Sequence, residues 1–519
     1  MKIDRVSFAL VFFLTLVGFA VRISAPLSGS FPLNDGGLFY KMILDLQGNH
    51  FALPDYTTYN NAGLPFAYPP FAFYFYGLIA SAGQVSVLKL MQFLPSIVSA
   101  LTIPAFYLLA KEFLDSKAQA ALALLAFTFV PRAFDWLIMG GGVTRAFGLL
   151  FALLAIRQAN VFFSPRPKHT YLAMIGLGAL VAYTHPEAVT HTVISAAFIY
   201  LWKDRSMKGL VRAIIAALGI LLITAPWWLT LLTRHGLDPF LAAISAAKQN
   251  SYNALTGILI LFRFNFTDEP NLTLIAILGL IGVFTLLAKR KFFIPLWFFL
   301  MHLLEPRGGA LFMMSPLAMF AGIGLDQTIL PGLRNFNLGQ LGMNNEDWAS
   351  SILKGKTVKI FLAILFMYTS LSALQVGAGI KQRSTLTQAD LDAFNWVQEN
   401  TPPNSQFALV TQGLPLNDSS SEWFPALTGR TSLASVFGYE WLNDGKFGAR
   451  VETYQELQEC AGRDVDCMNQ WAQEIGWDIS YVYVRKQGGG HTALDINLSN
   501  SADYTAVYDT AEIVIYLKQ

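Results

Sequence analysis

The chain has 519 residues, 54% of them hydrophobic and only 13% charged, with a formal net charge of +2 and a mean hydropathy of +0.44. Soluble domains carry roughly 25% charged residues, so an ordinary soluble class is excluded. No basic stripe is present to follow nucleic-acid phosphates, which leaves a polytopic α-helical membrane protein.

The first residues, Met1-Lys2-Ile3-Asp4-Arg5, lead into an apolar run to Val21. Arg22 closes the run where a cleavage site would need small residues, so it reads as a retained signal anchor. Lys2 and Arg5 hold the N-terminus in the cytoplasm. A first span over about 6–23 then opens into a large outer loop, 24–86.

Within that loop Phe66–Ala82 is apolar enough to span. Counting it as a span would move Lys111, Lys117, Arg157, Lys203 and Lys208 to the outside, against the positive-inside rule. Its Tyr68-Pro69-Pro70 start and the aromatics Phe71, Phe73, Tyr74, Phe75 and Tyr76 suit an interfacial helix instead. Spans are then expected near 88–110, 118–136, 144–163, 170–185, 188–202 and 210–232. A second outer loop covers 233–270, and further spans lie near 271–288, 292–305, 309–330 and 357–378. That makes about eleven spans, with Lys289-Arg290-Lys291 and the Asn-rich stretch Pro331–Lys356 inside.

Residues 1–380 thus form a transmembrane domain, and 381–519 an extracytoplasmic α/β domain. In the latter, Thr387–Asn400 is predicted to be a helix capped by Thr387 and stopped by Pro402-Pro403. Gln406–Thr411, Ile479–Arg485, Tyr504–Tyr508 and Glu512–Leu517 are predicted strands. Cys460 and Cys467 lie there, and an outside location permits either a disulfide or two free thiols. The Gly488-Gly489-Gly490 run reads as a flexible loop.

Three distant polar clusters fall on one membrane face. Asn34-Asp35-Gly36-Gly37 offers a carboxylate in a tight turn, able to take a proton from a hydroxyl; a turn aspartate bonding its own backbone is the plain alternative. Tyr183-Thr184-His185-Pro186-Glu187 puts a histidine and an acid at the outer end of a span that Pro186 breaks. Glu305-Pro306-Arg307-Gly308-Gly309 joins two spans, with an arginine suited to phosphate. Arg22, Arg132 and Arg145 also lie near that face, where snorkelling to headgroups explains them as well as phosphate binding does. Gly140-Gly141-Gly142 lacks the Lys-Ser/Thr of a nucleotide-binding loop, and no nucleophile elbow is present.

With Asp35 after the first span, the Pro65-Phe66-Ala67-Tyr68-Pro69-Pro70 segment, Thr184-His185-Pro186-Glu187, Arg307 and Glu422-Trp423-Phe424-Pro425, the chain resembles the GT-C membrane glycosyltransferases. It is most similar to their protein mannosyltransferase-like and aminoarabinose transferase-like prokaryotic members. The resemblance implies a plasma-membrane, multi-pass enzyme that moves a sugar from a polyprenyl-phosphate donor to an acceptor hydroxyl on a glycan, lipid or protein. Asp35 would be the base. Arg307 with His185 would hold the donor phosphate, and Tyr68, Glu187 and Glu305 complete the expected substrate-binding set. The Asp-x-Asp motif of the oligosaccharyltransferase branch is missing, so no metal ligand is assigned. The alternative is a transporter or flippase of lipid-linked glycans, which would need charges at mid-membrane depth and broken helices in paired halves.

Overall fold

The computed structural model describes residues 4–164, 170–249, 254–263, 265–335, 355–384, 386–442, 446–486 and 490–519. Among them, six helices are long and apolar enough to cross a membrane: Arg5–Ser28, Val87–Phe113, Gly142–Phe162, Met207–His235, Gly308–Leu333 and Lys356–Gln382. Lys117–Phe129 with Pro131–Leu137 is a seventh if that pair, bent by 85°, counts as one span. Helical residues occupy each of the eleven expected ranges. However, Tyr171–Ala182, Leu274–Ala288 and Phe293–Leu304 fall short of the roughly 20 residues a perpendicular span requires. Phe71–Gly83, at 13 residues, is shorter still than a span.

The helix starts follow local chemistry. Asp4 accepts the N–H of Ser7 and caps Arg5–Ser28. Ser116 and Ser206 cap Lys117–Phe129 and Met207–His235 in the same way. The expected span over 118–136 is broken, because Pro131 cannot continue the hydrogen-bond ladder. The chain turns at Val130 and runs sideways through two short 3-10 turns, Pro131–Ala133 and Asp135–Leu137. The following helix restarts at Gly142. This detour carries Arg132, Trp136 and the triple glycine to one end of the bundle. At the other end lie ion pairs such as Lys291–Asp115 and Lys117–Asp4.

The first long loop is highly ordered. It contains the helix Gly37–Gly48, a hairpin of strands β1 (Tyr56–Thr57) and β2 (Leu64–Pro65), and the helix Phe71–Gly83. Asp45 accepts from the Thr57 and Thr58 hydroxyls at 2.7 and 2.6 Å and pins the hairpin. Asp55 pairs with Arg234 at 2.8 Å. The stretch expected as the second outer loop carries two helices, Asp238–Gln249 and Ala254–Phe262.

Toward the C-terminus, strands β3 (Gln406–Val410), β4 (Thr431–Ser432), β5 (Tyr481–Arg485), β6 (Tyr504–Asp509) and β7 (Ile513–Lys518) form one sheet in the order β4-β3-β5-β7-β6. β3 is parallel to β4 and β5, while β7 is antiparallel to β5 and β6. Four of these strands match the expected segments, and β4 is new. Side chains alternate with the strand period of two. Phe407, Leu409, Tyr481, Tyr483, Ile513 and Ile515 join the core that continues into the membrane helices. Ala408, Val410, Val482, Val484, Val514 and Tyr516 build a second core on the far face.

Between the sheet and the bundle lie the helices Gln388–Asn400 and Ser419–Thr428. The first begins with the expected Thr387 cap, and Asp390 completes a capping box. Cys460 and Cys467 form a disulfide, Cα atoms 5.7 Å apart. The stretch 336–354 and Gly488-Gly489 lie outside the described residues.

Candidate functional site

A cavity of about 300 Å³ opens where the first loop, the broken span and the C-terminal part meet. Its walls include Asp35, Arg132, Arg145, Glu187, Glu422 and Glu440, with Trp136, Phe39, Phe437 and Leu416 as apolar lining.

Asp35 is presented by a strained turn. Asn34 sits at φ 53°, a conformation asparagine tolerates better than most residues, and Gly36 at φ 126°, which requires glycine. The glycines beyond the broken span receive this turn. Gly140 donates its N–H to the Leu33 carbonyl at 2.8 Å, and Gly141 donates to Asp35 Oδ1 at 2.8 Å. A Cβ on Gly140 would stand 1.8 Å from the Asp35 carbonyl oxygen, so nothing larger than hydrogen fits. The triple glycine therefore cradles the acid.

Asp35 Oδ2 faces Arg145 Nη1 at 2.8 Å. The Arg145 guanidinium lies over the Trp136 ring, 5.3 Å from its centroid. Arg132 adds a second cation and pairs with Asp268 at 2.8 Å. Of the three arginines that snorkelling could also explain, these two line the cavity, and Arg22 does not. It is buried inside the bundle, donating to the carbonyls of Gly18 and Thr128 and to the Ser99 hydroxyl. Those dipoles replace water around Nε and Nη1.

Of the other expected residues, Glu187 lines the cavity. Glu305 stands beside it: a Cβ on Gly308 would meet Oε2 of Glu305 at 2.8 Å and of Glu187 at 2.9 Å. Glu305 Oε2 also bonds His191 Nε2 and the Gly308 N–H, each at 2.8 Å, so it braces the turn after Phe293–Leu304. Tyr68 and His185 pack edge to face, 6.1 Å apart, and Tyr68 packs on the cavity residue Phe39 at 4.9 Å. The Tyr68 hydroxyl lies 3.3 Å from that of Thr144, next to Arg145. They form a neighbouring wall rather than the cavity lining. The backbone of Arg307 belongs to the helix Pro306–Phe312, and its side chain lies outside the described residues. Among the described side chains, the cations that line the cavity are Arg132 and Arg145. Among the described residues, no group of three or more His, Cys, Asp or Glu could hold a metal ion.

Glu422 and Glu440 are the acids that sequence reasoning did not assign to the site. Glu422 Oε1 accepts the N–H of Gly36 at 2.9 Å and of Leu38 at 3.4 Å. Its Oε2 is buried without a hydrogen-bond partner among the described residues. Burial, and then the nearby charge of Asp35, push this carboxyl well above the ordinary range, against the two N–H donors and Arg145. The signal was an acid directly before the apolar run Trp423-Phe424-Pro425, where ionisation is costly.

No protein-family model matches the chain, and no curated protein does. Solved structures match it. The oligosaccharyltransferase AglB from Archaeoglobus fulgidus, in complex with an inhibitory peptide and a dolichol-phosphate, aligns over 92% of this chain and 69% of its own, at TM-score 0.56 and 13% identity. ArnT from Cupriavidus metallidurans aligns over 98% of both chains at TM-score 0.56 and 12% identity, and it is also known bound to undecaprenyl phosphate. The arabinofuranosyltransferase AftD from Mycobacteria covers 100% of this chain at TM-score 0.56 and 14% identity, while this chain spans 40% of AftD. At such identities the likeness is one of fold. These structural neighbours are GT-C glycosyltransferases, and the chain shares their multi-pass membrane fold.

Proposed function

We propose that the chain is a glycosyltransferase that moves a sugar from a polyprenyl-phosphate donor to an acceptor hydroxyl at the extracytoplasmic membrane surface. The observation that carries this reading is the pairing of Asp35 and Arg145, 2.8 Å apart in the wall of one cavity. It puts a base for a hydroxyl and a cation for a phosphate within reach of one bond.

In the resting site Arg145 neutralises Asp35. An arriving donor phosphate competes for the guanidinium, whose fork of donors suits phosphate oxygens. Oδ1 stays on the Gly141 N–H, and Oδ2 is released toward the acceptor hydroxyl. The acceptor oxygen then bonds the anomeric carbon as Asp35 takes its proton. The carbon–oxygen bond to the carrier breaks, and its electron pair leaves on the lipid phosphate, where Arg145 and Arg132 balance the charge. The isoprenoid stays among apolar helices while the sugar faces water. The two neighbours known with dolichol-phosphate and undecaprenyl phosphate lend the donor class support. Orientation with the C-terminal sheet outside, residues 381–519 as a separate domain, and Tyr68, His185, Glu187, Glu305 and Arg307 as further substrate contacts belong to the same proposal.

The test is purified protein mixed with a panel of radiolabelled polyprenyl-phosphate sugars. Release of carrier phosphate, to an acceptor or to water, identifies the donor. Silence across the panel, with well-folded protein, rejects the reading.

A further inference from the structure

Glu422 is unlike the other acids of the cavity. It comes from the helix Ser419–Thr428, far along the chain from Asp35, yet it is 4% exposed and lines the same cavity. Its two oxygens are used differently. Oε1 accepts from the backbone of Gly36 and Leu38, so its lone pairs hold the turn that carries Asp35. Oε2 is buried and has no partner among the described residues. A buried, unpartnered carboxylate oxygen beside the acid Asp35 is costly. A proton on Oε2 removes that cost and makes Glu422 a donor that lacks an acceptor.

We infer that Glu422 is a neutral acid in the resting protein and offers its Oε2–H to an oxygen of the lipid-linked substrate, a phosphate oxygen or a sugar oxygen. The inference rests on the reading of this cavity as the donor site. It places three donors, Arg132, Arg145 and Glu422, in the cavity that holds the proposed base, Asp35. The charged and titratable groups that bear on Glu422 are Asp35, Arg145, Arg132, Glu187 and Glu440 around the cavity, and Tyr59, whose hydroxyl donates to the Glu422 carbonyl oxygen at 2.8 Å. Burial and the Asp35 charge both raise the Glu422 carboxyl, the direction a retained proton requires.

Two measurements on the full-length protein in detergent test this. Infrared spectra near neutral pH are expected to carry a protonated-carboxyl band that Glu422→Gln removes. Binding of undecaprenyl phosphate, or of its sugar-charged form alone, is expected to weaken roughly tenfold as the pH rises through the titration of that band, the size expected for losing a charge-assisted hydrogen bond. Glu422→Ala is expected to bind weakly at every pH. Glu422→Gln, which keeps an acceptor for Gly36 and a donor at the other position, recovers most of that loss and abolishes the alkaline decline. A purely structural role would leave the same alkaline decline in the Gln variant. Decline with undecaprenyl phosphate alone identifies a phosphate oxygen as the acceptor, and decline only with the sugar-charged donor identifies a sugar oxygen. Absence of the band, or a decline that Glu422→Gln does not change, overturns the inference. If no donor reacts while the band and the pH-dependent binding stand, the transferase reading fails and this one survives.

Discussion

The indole N–H of Trp423 donates to the backbone carbonyl of Asn34 at 2.8 Å, joining residues 389 positions apart. Phe31 packs edge to face on the same ring at 4.7 Å. The next residue back, Glu422, holds Gly36 and Leu38. The turn that presents Asp35 is therefore moulded by a helix from the far end of the chain. Trp423→Phe leaves the Asn34 carbonyl buried and unsatisfied, which costs roughly 2 kcal/mol. Transfer is expected to fall about tenfold and the melting temperature to drop, with membrane insertion unchanged. Wild-type rates in this variant would mean that the C-terminal helix does not set the turn.

Asp35 and Arg145 are expected to fail in different ways. Asp35→Asn removes the base and lowers transfer by roughly 10²–10⁴ while carrier phosphate still binds. Arg145→Gln removes a charge-assisted contact and weakens carrier binding roughly tenfold or more. Measuring turnover and binding on both variants separates the roles. Normal turnover in Asp35→Asn would eliminate it as the base.

The glycine cradle makes a steric prediction. Gly140→Ala forces a methyl to 1.8 Å from the Asp35 carbonyl oxygen, so the turn must move and transfer is lost. Gly176, in the helix Tyr171–Ala182, has open space around it. Gly176→Ala is expected to leave transfer intact and to gain up to about 1 kcal/mol from helix propensity. Equal activity in the two variants would remove the cradle from the mechanism.

The support behind Glu422 is sensitive to acid. Burial alone would lift the Asp390 carboxyl, but Arg485 and the Thr387 donors hold it below its ordinary range. Asp390 Oδ1 also accepts from the Ser420 hydroxyl at 3.1 Å, at the start of the helix that carries Glu422. A depressed folded pKa contributes stability above the unfolded value, near 4, and that contribution is lost as pH falls through the folded one. Asp390→Asn should destabilise by about 3 kcal/mol at neutral pH. The gap from wild type should shrink below about pH 4 in thermal melts. A gap independent of pH would mean that the ion pair is not its source.

Much of this was legible in the chain. Apolar runs located the long helices because a bilayer demands length and hydrophobicity together. Short runs rich in β-branched and aromatic residues located β3, β5, β6 and β7, and Thr387 announced its helix by its cap. Asp35 and Glu187 could be named because acids near an apolar span are rare, and both line the cavity. Contacts that depend on chain return were hidden. Arg145 looked like any interfacial arginine until the break at Pro131 turned its helix start toward Asp35. The glycines 140–142 were legible only as what they were not. Glu422 needed the pairing of two segments that no local pattern connects.

That dependence on the far end of the chain has a consequence for biogenesis. A polypeptide still emerging from the ribosome possesses Asp35 and Arg145 long before Glu422 and Trp423 exist to shape the turn. Truncated or half-translocated products thus carry the acid without its mould. The order that Glu422 and Trp423 give the turn is therefore acquired late in synthesis.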